Sequence, residues 1–158
     1  MNLFDSLINN INTKTDTQKY ELENNAKVIF TLQLFYSDSL EFQEVNSVKT
    51  SQSLFLYENI NTKLYLSQSP KYLRIDPGYF YSVHDNVKVN LSAINGNQED
   101  KIIDCIPNKN SITNQLHVEK SGNNFLLICG KDPHYVFENS FKGCNICIHF
   151  QSRLLLSI

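Results

Sequence analysis

From Lys27 onward the chain alternates. Val28, Phe30, Leu32 and Leu34 interleave with Ile29, Thr31, Gln33 and Phe35, the period of two expected of a strand filled by β-branched and aromatic residues. Runs of similar character follow at Ser53–Tyr57, Thr62–Leu66, Tyr72–Asp76, Val87–Ile94, Lys101–Ile106, Phe125–Cys129 and Cys144–Gln151. Turn-forming residues separate them: Asn59-Ile60-Asn61, Ser67 to Pro70, Pro77-Gly78, Asn95-Gly96-Asn97, Pro107 to Asn110 and Gly122-Asn123-Asn124. No helical pattern alternates with these strands, which excludes a doubly wound sheet and predicts an all-β fold, an antiparallel β-sandwich of jelly-roll or Greek-key kind. Ahead of it, Leu3, Phe4, Leu7, Ile8 and Ile11 fall at spacings of three and four and predict a short N-terminal helix. The expected organisation is a helical segment over 1–25 and a β-domain over 26–158.

The length of 158 residues fits one domain, and 41% hydrophobic residues suffice for a sizeable core. Fourteen basic against sixteen acidic side chains leave a formal charge of −2, so no broad basic face exists and nucleic acid is not an expected partner. The apolar runs are far shorter than the ~18 residues of a membrane span. Asp5, Asn9 and Asn10 interrupt the stretch where a signal peptide would be apolar, so the expected location is cytoplasmic and the four cysteines are expected as free thiols.

Cys144-Asn145-Ile146-Cys147 has the spacing of a redox or zinc pair, but in a strand its two sulfurs point to opposite faces. Cys147 and His149 would share a face, a slender metal pair. Ser82, His84 and Asp85 are the residue types of a hydrolytic triad, yet they sit too close along one strand and lack a nucleophile elbow. Satisfied or exposed histidines are the simpler reading. No glycine-rich loop opens a helix to cradle phosphate, and no cofactor is expected. Asp38, Asp76, Asp85 and Asp132 lie near turns, where carboxylates can converge on a hard cation, but without the ligand spacing of an EF-hand.

Two Asp-Pro pairs, Asp76-Pro77 and Asp132-Pro133, are expected to end or begin strands, because proline holds the preceding residue extended and cannot donate to a ladder. Arg74 and Asp76 then project to one face and can form a charge-assisted hydrogen bond. Tyr79 and Tyr81 follow the Pro77-Gly78 turn; such aromatics either fill a core or stack on sugar rings.

Leu34-Phe35-Tyr36, then Phe42, then Leu73-Arg74-Ile75-Asp76-Pro77 and a late Asp132-Pro133 resemble, in that order, a β-sandwich module that accompanies bacterial rhamnosyltransferase-like glycosyltransferases and methyltransferases of surface-polysaccharide synthesis. The likeness spans roughly residues 27–150. It departs from the family pattern at Ser37–Glu41, which lacks glycines, and at His134, where a polar amide is common. The resemblance implies a non-catalytic accessory module that binds glycan or positions a glycosyltransferase partner. The candidate ligand-binding residues are Arg74, Asp76, Tyr79, Tyr81, Asp132 and His134. The competing expectation is a structural or interaction protein, self-associating as a homo-oligomer or docking an enzyme through the Leu3/Leu7/Ile11 face or a sheet edge.

Overall fold

The computed structural model describes residues 27–96 and 98–157, so the helix expected over the first dozen residues lies outside the described residues. Within them the protein is all-β and antiparallel: β1 (Lys27–Ser37), β2 (Ser47–Phe55), β3 (Asn59–Leu66), β4 (Tyr72–Pro77), β5 (Ser82–Asn95), β6 (Gln98–Asp104), β7 (Ile112–Ser121), β8 (Asn124–Glu138) and β9 (Asn145–Ser157). One hydrogen-bonded path runs β2-β1-β4-β8-β5-β9-β3, with β6 added on β5 and β7 on β8. Its two end strands, β2 and β3, are consecutive in sequence and approach each other without pairing, so the sheet is nearly closed as a barrel.

Alternation puts one face of every strand inside. Leu32 and Leu34 of β1, Leu73 and Ile75 of β4, Val89 and Leu91 of β5, Leu127 and Cys129 of β8, and Ile146, Ile148 and Phe150 of β9 meet in a single core. Cys147, one residue out of phase, is buried on the opposite side of β9, and all four cysteines are free. Burial raises the thiols of Cys105 and Cys129, the latter to about 12, which keeps them protonated as packing groups.

Two sequence-based expectations need correcting, and one strand lies outside the runs named from the sequence. Asn59-Ile60-Asn61 is the start of β3, with Ile60 in the core; the reversal sits just before it, at Tyr57, which takes a positive φ of 69°. The polar stretch Ile112–Ser121, named in no run above, is strand β7. It pairs only with β8, so Leu116 is its sole fully buried residue and the alternation that identifies a half-buried strand is missing. Asp132-Pro133 neither ends nor begins a strand but lies inside β8, in the stretch Gly130–Pro133 that bulges out of register opposite Gln115 of β7, where a proline costs no ladder bond. Asp76-Pro77, in contrast, does close β4.

That irregular stretch of β8 divides its work. Residues 127–129 pair with β5, whereas 135–138 pair with β4. The strand therefore changes neighbour at Gly130–His134, and the side chains of Asp132 and His134 emerge at the change.

Candidate functional site

Register builds a polar row across the outer face. Gln33 of β1 lies between Lys49 of β2 and Asp76 of β4. Ile75 pairs with Tyr135, so one position further along Asp76 comes opposite His134, which itself pairs with Asn114 of β7. The next row carries Ser47, Phe35, Arg74, Val136 and Ile112. Their inward-facing neighbours Leu34, Ile75 and Tyr135 anchor the same strands in the core.

Arg74 grips Asp76 with both ends of its guanidinium, Nε to Oδ1 at 2.7 Å and a terminal nitrogen to Oδ2 at 2.8 Å. The guanidinium also lies over the Phe35 ring, 4.7 Å from its centroid, which explains how Phe35 is buried on an outward-facing position. Burial of Asp76 pushes its carboxyl above the ordinary range, while the Arg74 hydrogen bond and charge oppose that rise. Beside it, His134 Nδ1 is shielded from solvent and has no hydrogen-bond partner among the described residues; Asp132 Oδ1 stands 3.9 Å away, beyond bonding distance. Burial and the Arg74 charge both lower the His134 imidazole below its usual value. Asp132 itself is largely exposed.

At the other end of the row, the Tyr79 hydroxyl donates to Gln33 Oε1 at 2.8 Å, and Gln33 Nε2 donates to Glu44 Oε1 at 2.9 Å and Ser47 Oγ at 3.0 Å. Gly78, with φ of 90°, makes the turn that swings Tyr79 back over β1, and its amide donates to Thr31 O. Tyr79 and Phe80 remain 44% and 36% exposed, so both offer ring surface to solvent.

The structure thus brings together five of the six residues expected from the sequence. The sixth, Tyr81, packs instead on a small outer cluster of Val83, Ile128, Leu155 and Leu156. Sequence reasoning missed Gln33, Glu44, Asn114 and Gln115. Gln115, opposite the β8 bulge and with φ of 48°, accepts from the amides of Lys131 and Asp132, and Asn114 Nδ2 donates to Asp132 O at 2.9 Å. These two side chains fix the backbone that presents Asp132. Gly130 is required beside them, since a Cβ there would sit 2.8 Å from Gln115 Oε1. The clue in the sequence was Gly130 itself, one of only five glycines.

Other candidates resolve differently. His84 is wholly buried, with Nε2 3.1 Å from Ser82 Oγ and Nδ1 3.0 Å from Ser152 Oγ, and the rings of Phe30 and Phe150 enclose it. Asp85 points away and holds Arg153 in a two-bond pair. No hydrolytic triad forms from Ser82, His84 and Asp85. Asp38 receives the Lys71 amide at 3.1 Å and joins no cation cluster among the described residues. His149 bonds Asn61 rather than Cys147. A cleft of about 430 Å³ away from the row is lined by Asn86, Asn90, Asp104, Asn124 and Phe125, but its carboxylate is already engaged with the Ile106 amide at 2.9 Å.

No helix among the described residues is long and apolar enough to cross a membrane. The chain matches no protein-family model, no curated protein and no solved structure.

Proposed function

We propose that this protein is a non-catalytic carbohydrate-binding module, an accessory to glycosyltransferase-type polysaccharide synthesis, with its site on the outer row of β1, β4 and β8. The observation that carries the reading is the adjacency of exposed aromatic surface at Tyr79 to planar, held hydrogen-bonding groups at Gln33, Arg74 and Asp76, with the exposed Asp132 carboxylate farther along the row. Sugars are bound by such pairs: an aromatic face meets the apolar side of the ring, and fixed amides or carboxylates meet the hydroxyls. Arg74 is neutralised by Asp76, while Asp132 and Glu44 remain exposed at the edges, so the site favours neutral or amino sugars over acidic ones. The resemblance to rhamnosyltransferase-associated modules points the same way. With it go the jelly-roll connectivity, the bacterial source and the cytoplasmic setting expected from the sequence.

Thermal unfolding against neutral, amino and acidic oligosaccharides and nucleotide sugars tests the proposal. A sugar at a hundred times its dissociation constant adds about 2.7 kcal/mol and raises the midpoint by several degrees. Tyr79→Ala is expected to abolish that shift and Tyr81→Ala to preserve it, at a lower starting midpoint because Tyr81 packs on Val83 and Ile128. No shift with any sugar, or equal loss in both variants, would overturn the reading.

A second reading, an interaction protein working through a sheet edge, is favoured by β6 and β7. Among the described residues each pairs with one neighbour, and they carry Ile102 and Ile112 at 61% and 58% exposure. Sedimentation of the intact chain against Ile102→Lys and Ile112→Lys, and against a chain lacking residues 1–12, separates the two readings.

A further inference from the structure

We infer that Asp76, Asp132 and His134 form a binding site for a first-row transition-metal dication, such as Zn²⁺, Mn²⁺ or Co²⁺. One ligand atom from each residue lies within 4.8 Å of the others. The second observation is the His134 nitrogen. Nδ1 is excluded from solvent, bonds to nothing, and faces Asp132 Oδ1 at 3.9 Å. A buried imidazole nitrogen left without a partner is costly, and it is rare in native folds unless an unseen group completes it.

That separation is too long for a hydrogen bond and lies within the span of two ligands on one ion, a few tenths of an ångström wider than the tetrahedral spacing of about 3.4 Å. Two ligands each about 2.1 Å from a metal stand at most about 4.2 Å apart. Rotation of the exposed Asp132 side chain can bring its carboxylate to the spacing a shared ion needs. Arg74 does not block the site: it uses one lone pair on each Asp76 oxygen, and each has a second. Two carboxylates against one guanidinium leave a net negative charge to receive a cation. An imidazole ligand selects a transition ion over Ca²⁺ or Mg²⁺, which take oxygen. Gln115, Asn114 and Gly130 hold the Asp132 backbone in place, the outer support that metal ligands need. The site shares residues with the proposed sugar row but does not depend on sugar binding.

The test is calorimetric titration of the full chain, stripped with chelator, with Zn²⁺, Co²⁺, Mn²⁺ and Ca²⁺, alongside thermal unfolding. One ion per chain is expected for Zn²⁺ and Co²⁺, with a rise in midpoint and a visible Co²⁺ spectrum of nitrogen and oxygen ligation. Asp132→Asn and His134→Phe should each weaken binding by about tenfold or more. Cys144→Ser, which alters the half-exposed thiol, should leave it unchanged. Asp132 is exposed, so its variant keeps the test decisive even where His134→Phe fails to fold. Absence of saturable binding below about 1 mM, or binding that survives in Asp132→Asn, overturns the inference. Sugar titrations run with and without chelator keep the two proposals apart: metal binding without sugar binding removes only the sugar site, and the reverse removes only the metal.

Discussion

Two histidines with sheltered ring nitrogens divide this molecule. His84, on the inner face of β5, is wholly enclosed and has both ring nitrogens within hydrogen-bond reach of serine hydroxyls, Ser82 on one side and Ser152 on the other. His134, on the outer face of β8, has a sheltered nitrogen bonded to nothing and two carboxylates beside it. Burial lowers both imidazoles. The difference lies in satisfaction. A buried polar group with its partners in place belongs to the core and stabilises one packing; a buried polar group without them marks where something else can bind.

The largest expected effect comes from breaking the satisfied one. His84→Ala removes a ring packed against Phe30 and Phe150 and leaves Ser82 and Ser152 facing a void, so urea unfolding should show a loss of about 3 to 5 kcal/mol. The same residue makes the fold acid-sensitive. Burial lowers His84 from 6.5 to about 4, so between those pH values the unfolded chain takes a proton that the folded chain refuses. Stability should fall as pH drops from about 6.5 to 4 and level off below, by about 3 kcal/mol in all. His84→Phe should flatten that slope, and a slope that survives the substitution would assign it to other groups.

On the outer face the corresponding break is Arg74→Ala. It leaves the buried Asp76 carboxylate with neither its charge partner nor its two donors, and also uncovers Phe35. Arg74 keeps some solvent contact, which tempers the cost to about 2 to 3 kcal/mol. Replacing both residues, Arg74→Met with Asp76→Leu, should recover most of that stability while removing any ligand affinity. Failure of the double variant to recover stability would mean that the pair holds register through something other than mutual neutralisation.

Legibility in the sequence followed the same division. Strands with a clean apolar face, such as Lys27–Ser37 and Asn145–Ser157, announce themselves by alternation because the core demands it of every second residue. The polar face is under no such demand. Arg74 and Asp76 were legible as partners since two residues on one strand share a face whatever the fold does. That Asp132 and His134 join them depends on β8 pairing with β4, a contact across more than fifty residues that no local pattern encodes. Strand β7 was hidden for the related reason that an edge strand with Thr113, Asn114, Gln115, His117, Glu119 and Lys120 reads as loop, and with it went the support that Gln115 and Asn114 give Asp132. Tyr81 parts from Tyr79 because the chain beyond Gly78 reverses, so that residues two apart serve different clusters.

Gly130→Ala probes that hidden support with a smaller effect. The new Cβ would press on Gln115, whose side chain must withdraw from the Lys131 and Asp132 amides. A loss of about 1 to 2 kcal/mol is expected, since overpacking and two stranded amides act together near solvent. Ligand or metal affinity should fall more than stability does, because the displaced backbone carries Asp132. Equal loss of both would mean that Asp132 is a bystander.

Tyr79→Phe should have the smallest effect and the sharpest meaning. The hydroxyl bond to Gln33 is 2.8 Å long on a side chain close to half exposed, so removing it costs about 0.5 to 1 kcal/mol of stability. Gln33 retains Glu44 and Ser47 through its amide nitrogen, and the outer row keeps its spacing. The ring stays. If sugar rests on that ring, Tyr79→Phe should bind within a few-fold of the native chain where Tyr79→Ala does not bind at all. If both lose affinity alike, the hydroxyl rather than the aromatic face makes the contact, and the outer row acts as a hydrogen-bonding ladder and not as a stacking platform.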